Sequence, residues 1–111
     1  MADESIASEI AQERDWTVLA LTGKLYKKNV DSVEEKAESV LASCAKIAVD
    51  LEKVTYLSSA GIRILIRLAK KAAAGQKTFA LCGAEGLVKE VVEETHMNML
   101  VKIYQDRSEL G

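Results

Sequence analysis

The spacing of apolar residues changes abruptly in the middle of this sequence, and that change restricts the folds open to it. Lys46-Ile47-Ala48-Val49-Asp50-Leu51 is a nearly continuous apolar run, the pattern of a short strand buried on both faces. Such strands lie inside parallel sheets. The stretch Val54-Thr55-Tyr56-Leu57-Ser58 then leads into a helical pattern from Ser59 to Ala74. At about 100° per residue, Ile62, Leu65, Ile66, Ala69, Ala72 and Ala73 share one side of that helix. Parallel neighbours need a long crossover between them, and a helix of this length supplies one.

The remaining segments repeat the theme. Ser5 to Glu13 alternates weakly, with Ile6, Ser8 and Ile10 on one face, and suits an edge strand. Arg14-Asp15 turns it into Trp16–Thr22, a run of β-branched and aromatic residues that Gly23 closes. Val30, Val33, Ala37, Val40, Leu41 and Cys44 follow at helical spacing to about Ser43. Asn29 or Asp31 can cap this helix, and Ser32 with Glu35 has capping-box spacing. After Ala74, Gly75 is placed to take the left-handed position that ends a helix. Lys77–Cys82 is a further strand, ended by Gly83. Glu85 opens a helix with Leu87, Val88, Val91 and Val92 inward, Met97-Asn98-Met99 interrupts it, and Leu100–Tyr104 is a last strand. Asp106 can cap a final turn, expected to be short and frayed. The order is β-β-α-β-α-β-α-β: an α/β fold with a mixed, mostly parallel sheet of four to five strands and helices packed on it. Residues 1–111 read as one domain, since domains cluster at roughly 100–150 residues.

Composition removes several classes of function. A formal charge of −2 gives no overall attraction to nucleic acid or to an anionic membrane. No apolar run approaches the ~20 residues of a membrane span, and the acidic opening Met1-Ala2-Asp3-Glu4-Ser5 has no apolar leader core. Cys44 and Cys82 are far apart and fit buried free thiols in a reducing cytoplasm. A cytoplasmic domain is expected. The single histidine, His96, and the two cysteines make no metal-ligand spacing, and Ser59 lacks the Gly-x-Ser-x-Gly setting of a hydrolase nucleophile. Gly83-Ala84-Glu85-Gly86 is a strand-to-helix turn without the lysine of a phosphate loop. Neither catalysis nor a cofactor is expected.

Ser58 and Ser59 then carry the chemistry. Serine at a helix start is usually a cap. A hydroxyl there is also where a phosphate is best tolerated, because free backbone N–H groups and the positive end of the helix dipole face it. Ile64 and Leu68 leave two options open: a wide buried stripe, or an exposed apolar strip rimmed by Arg63 and Arg67 that would suit a partner.

The run from Val49 to Ile62, with Ser58-Ser59-Ala60-Gly61 near its end, resembles the signature of STAS domains, especially bacterial anti-sigma factor antagonists. Gly23-Lys24-Leu25 is similar to that family's Gly-x-Leu-Asp turn, and the resemblance extends over nearly the whole chain. It implies a STAS fold and a partner-switching module. The partner would be an anti-sigma factor that is a serine kinase, and a serine phosphatase would reset the modification. The family's phosphoacceptor serine falls on Ser59 rather than Ser58, and the family glycine on Gly61. Two family aspartates are replaced, by Ser58 and by Tyr26. The implied contact surface combines Lys24, Tyr26, Lys27 and Asn29 with Ser58, Ser59, Gly61, Arg63, Ile64 and Arg67. The same resemblance admits a non-switching scaffold, as in subunits of lipid-transport ABC complexes or larger signalling assemblies.

Overall fold

Five strands form one sheet whose spatial order follows the chain: β1 (Ala7–Glu13), β2 (Trp16–Leu25), β3 (Lys46–Leu57), β4 (Thr78–Cys82) and β5 (Lys102–Tyr104). The computed structural model describes residues 6–111, so Ser5 of the expected edge strand and the opening read for a leader lie outside the described residues. β1 and β2 are an antiparallel hairpin turned at Arg14-Asp15, and β2 through β5 run parallel. The crossovers carry α1 (Val30–Leu41), α2 (Ser59–Ala74) and α3 (Gly86–Glu94). Each crossover moves the chain one strand in the same direction. Right-handed connections therefore put all three helices on one face.

Side-chain alternation along the strands shows the division. Leu19, Leu21, Ile47, Val49, Phe79 and Leu81 pack with the helices in the larger core. Their neighbours Val18, Ala48, Ala80 and Cys82 point to the other face, where Trp16 and Leu110 cover them. Leu110 is fully buried. The Trp16 indole donates to the Gly111 carbonyl at 3.1 Å, and the Arg14 guanidinium donates to the Leu110 carbonyl. The capped turn at Arg107–Glu109 is therefore tied down, a correction to the frayed end expected above. Among the described residues no helix is long and apolar enough to cross a membrane.

Two strands run further than their sequence pattern indicates. β2 continues two residues past Gly23, whose φ of +117° lets the chain bend without ending the ladder. β3 continues from Leu51 to Leu57. It takes one more residue than β2 between the pairs Ala20–Asp50 and Thr22–Lys53, and again between Gly23–Val54 and Lys24–Tyr56. Each extra residue is a bulge that turns the strand. From Leu51 onward the buried positions are Leu51, Val54 and Leu57, a spacing of three that no regular strand shows.

The helix faces differ from expectation in two places. On α2 the inward stripe is wide: Ile64, Leu65, Leu68 and Ala72 are buried, Ile62, Ile66 and Ala69 are partly so, and Ala73 is exposed. On α3, Val88 and Val92 are buried and Val91 is partly so, but Leu87 is 74% exposed. At the end of α2, Gly75 has an ordinary φ of −90° and Gln76 takes the left-handed position at +59°. The Gln76 and Lys77 amides close the motif on the carbonyls of Ala73 and Ala72. A left-handed residue with a Cβ is strained, so Gln76→Gly is expected to stabilise the protein by about 0.5–1 kcal/mol in urea unfolding.

Cys82 lies beneath the Leu110 cover, and burial pushes its thiol up to about 12, with Asp50 adding to the shift. A neutral buried thiol is a poor nucleophile. Native protein at pH 8 is expected to release one equivalent of thiol colour with Ellman's reagent, from the partly exposed Cys44, and the second only on unfolding.

Candidate functional site

Two strand ends and a helix start meet at the Leu25 carbonyl. The β2–β3 register sets Lys24 against Tyr56 and Leu25 against Leu57. The Leu25 carbonyl accepts the Ser58 amide at 3.0 Å and the Ser58 hydroxyl at 3.3 Å. The same hydroxyl oxygen accepts the Gly61 amide at 3.2 Å, which caps α2. Ser58 is therefore the capping serine, and its loss would cost roughly 1 kcal/mol.

Ser59 is left free. It is the first residue of α2, it is exposed, and its hydroxyl has no hydrogen bond among the described residues. The unpaired amides of the first helical turn and the positive end of the dipole lie beside it. Geometry thus separates two serines that the sequence presents as equivalent caps.

Gly61 is required by close approach. A Cβ there would stand 2.8 Å from the Leu25 carbonyl oxygen and 2.8 Å from Leu57 Cδ1. It is buried, so it shapes the corner and offers no side chain to a partner. Asn29 is likewise 4% exposed. It occupies the cap position of α1 but does not cap it: its side chain accepts the Tyr26 amide at 3.1 Å and donates to the Lys24 carbonyl at 2.7 Å, closing the Tyr26–Asn29 loop. The Ser32 hydroxyl donates to the Asn29 carbonyl, so the expected Ser32–Glu35 capping box is absent from this helix start.

Ile64 is 3% exposed and Leu68 fully buried, which corrects the option of an exposed apolar strip. Both complete the wide core stripe of α2, and the Ile64 side chain cannot meet a partner directly. Arg67 is exposed, but its guanidinium holds Glu34 of α1 at 2.9 Å, and Lys71 holds Glu34 and Glu38. Burial raises the Glu34 carboxyl, but Arg67 and Lys71 together outweigh it and leave the group below its ordinary value.

What the fold brings together is a shallow depression of about 390 Å³ lined by Tyr26, Lys27, Tyr56, Ser58, Ser59, Ala60 and Arg63. Lys24 is exposed on the strand beside Tyr56. Tyr56, 52% exposed, is the site residue that sequence reasoning missed. The available signal was an aromatic next to Leu57 in a stretch too polar for a two-sided buried strand. None of Asp50, Glu85 and His96, which could act as a base, lines the depression. Asp50 instead receives Arg107 at 2.7 Å and the Glu52 amide at 3.0 Å. No cluster of metal-ligating side chains occurs among the described residues.

The profile of the STAS domain family matches residues 7–110. This chain belongs to the STAS family. Within it, the STAS signature run spans most of β3 and the first turn of α2, with the Gly23-Lys24-Leu25 segment alongside at the end of β2. The chain is 31% identical over 77 residues to a Bordetella bronchiseptica protein named as an anti-sigma factor antagonist, BtrV. That match covers 68% of this chain and 66% of BtrV, just under two thirds of the relative's length. Among solved structures, an anti-sigma factor antagonist from Mycobacterium paratuberculosis superposes with a TM-score of 0.82 at 20% identity, covering 93% of this chain and 88% of that one. The Bacillus cell fate determinant SpoIIAA in its phosphorylated form superposes at 0.68 with 14% identity, over 92% and 95% of the two chains. At these identities the structural matches establish the STAS fold, and the site rests on this chain's own geometry.

Proposed function

We propose that this STAS protein is an anti-sigma factor antagonist: it binds an anti-sigma factor serine kinase and is inactivated by phosphorylation of Ser59. The observation that carries the reading is the division of labour between the two serines. Ser58 is engaged by Leu25 and Gly61, whereas Ser59 presents an unbonded hydroxyl at the exposed start of a helix. A kinase can reach Ser59 without unfolding anything. The product would place about two negative charges where free amides and a helix dipole favour them, so the modified state keeps its fold. Two similar proteins support the reading: the Bordetella relative, named as an anti-sigma factor antagonist, and Bacillus SpoIIAA, solved in a phosphorylated form. A phosphatase would reverse the change.

The contact surface in this proposal is Lys24, Tyr26, Lys27, Tyr56, Ser59 and Arg63, with Arg67 at its margin. Gly61, Asn29 and Ile64 build the surface from behind. Incubation with ATP and the anti-sigma kinase should give a single slower band on a phosphate-affinity gel, absent in Ser59→Ala and present in Ser58→Ala. A band that survives Ser59→Ala would sink the assignment.

A second reading is favoured by one observation. Tyr26 and Ser58 stand where the family pattern has aspartates, so the acidic setting of the modified serine is missing. The alternative it favours is a STAS scaffold that docks without switching, in a lipid-transport complex or a signalling assembly. For such a scaffold, Ser59→Asp would leave partner binding intact.

A further inference from the structure

The two edges of the sheet are finished differently. β5 is three residues long and begins with the exposed Lys102, features that discourage an edge from pairing with another chain. β1 has neither protection. Its seven residues contain no proline or lysine, and its ladder with β2 runs from Ala7–Thr22 to Glu13–Trp16 without a bulge. Every residue of β1 is exposed or half-buried, and Ile10 is 52% exposed. The two-residue turn at Arg14-Asp15 makes Glu13 and Trp16 a pair that exchanges both backbone hydrogen bonds. By alternation, Ala7, Glu9, Ala11 and Glu13 turn their N–H and C=O groups toward β2, and Ser8, Ile10 and Gln12 turn theirs outward. No turn or loop among the described residues bonds to these outward groups.

We infer that β1 is a self-association surface, through which two copies of this chain pair antiparallel about a two-fold axis at Ile10. The charge pattern selects both the second copy and the register. Outward groups must meet outward groups, so the axis falls on Glu9, Ile10 or Ala11 if most of the strand is to pair. Centred on Glu9, the pairing sets Glu9 against Glu9 of the second copy. Centred on Ala11, it sets Glu9 against Glu13 twice. Centred on Ile10, every glutamate faces an alanine: Glu9 lies opposite Ala11, and Glu13 opposite Ala7. That register also engages the whole strand, bringing Ile10 onto Ile10 and Ser8 onto Gln12. Ile10 is the cross-strand neighbour of Leu19, whose side chain lies in the helix-covered core, so the apolar contact forms on that face. The glutamates share the other face with Ala11, where Arg107 lines a small cavity with Glu9. The same rotation keeps the helices of both copies on one side and joins two five-stranded sheets into one of twice the width. The depressions at Ser59 then lie at opposite ends of the pair and stay open in both copies, so association does not depend on the switch. A seven-residue edge covers less than the ~1,000 Å² that marks a firm complex, so the dimer is weak and concentration-dependent.

The test uses the full chain, followed by sedimentation velocity and by nitrogen-15 spectra from about 10 µM to about 1 mM. The sedimentation coefficient should rise with concentration, and the amide shifts that accompany it should concentrate in residues 7–13. Ile10→Lys and Ile10→Glu each set like charges directly opposite one another, so each variant alone should remain monomeric at about 1 mM. An equimolar mixture of the two should dimerise at least as well as the wild type, because position 10 then meets its opposite charge. Recovery in the mixture also shows that both variants are folded, as expected for a half-exposed side chain. A wild-type chain that stays monomeric at about 1 mM would overturn the inference. So would shifts centred on β5, single variants that dimerise like the wild type, or a mixture that stays monomeric.

Discussion

Gly83→Ala should cost this protein about 3 kcal/mol, the sum of a strained backbone and an overpacked site. Gly83 ends β4 with a φ of +79°, a region that L-residues adopt at a cost. It also packs against β3 at Asp50 and Glu52. A Cβ at this position would stand 2.4 Å from Asp50 Oδ1 and 3.0 Å from the Glu52 amide nitrogen. That oxygen accepts the Glu52 amide, an N–H freed where β3 bulges, while Oδ2 receives Arg107. Asp50 is only 4% exposed and has little freedom to retreat. The methyl would have to displace the carboxylate, leave the Glu52 amide without its partner and loosen the C-terminal turn. Urea unfolding monitored by Trp16 fluorescence measures the loss, and Trp16 also reports on that turn, because its indole is bonded to Gly111. A loss below about 1 kcal/mol would mean that the bulge yields to the methyl and that the fit around Gly83 is loose.

Ser59→Asp is expected to weaken binding to the proposed anti-sigma factor partner at least tenfold, or about 1.4 kcal/mol, without lowering stability. The two halves of this expectation have separate causes. Binding falls because a carboxylate is placed among Lys27, Arg63 and the first-turn amides, the groups proposed to meet the partner. Stability holds because Ser58 keeps the cap, and an acidic residue in the first turn of a helix stabilises it by about 0.3–1 kcal/mol. Ser59→Ala should bind like the wild type. Ser58→Ala should show the opposite pattern, losing roughly 1 kcal/mol of stability through the missing cap. Titration calorimetry with the partner, paired with urea midpoints for each variant, distinguishes these outcomes. Unchanged binding in Ser59→Asp would favour the non-switching scaffold. An equal loss in Ser59→Asn would attribute the effect to size and remove charge from the mechanism.

The architecture is legible in the sequence because strand and helix periods alternate cleanly in most of the chain. Periodicity places both the run ending at Leu51 and the helix from Ser59 to Ala74, and the same order of elements is present in the structure. What fails to show is the second half of β3. Two bulges there replace alternation by a spacing of three, so Val54 and Leu57 look like loop residues although they are core. The same bulges bring Tyr56 beside Lys24 and into the site, which is why sequence reasoning misses Tyr56. Gln76 and Gly75 illustrate another limit: glycine is the usual left-handed residue, but the hydrogen bonds that end α2 fall one position later. Ile64 is ambiguous in the sequence for a geometric reason. An α2 face packed against both the sheet and α1 has a stripe wider than one helical face would need. The serines are separable only by contacts, because the Leu25 carbonyl that selects Ser58 lies 33 residues away in sequence.

That carbonyl has a consequence for how a signal could leave the site. It receives both the amide and the hydroxyl of Ser58, and Gly61 is packed so closely against it that not even a methyl group fits. Strand, loop and helix are thereby clamped at one atom behind the open depression that Ser59 lines. A modification at Ser59 would find a corner that cannot bend in response. The two states of such a protein would superpose almost atom for atom, and the partner would distinguish them by electrostatic potential. Comparison of their backbones would show no switch, whereas comparison of their association rates would.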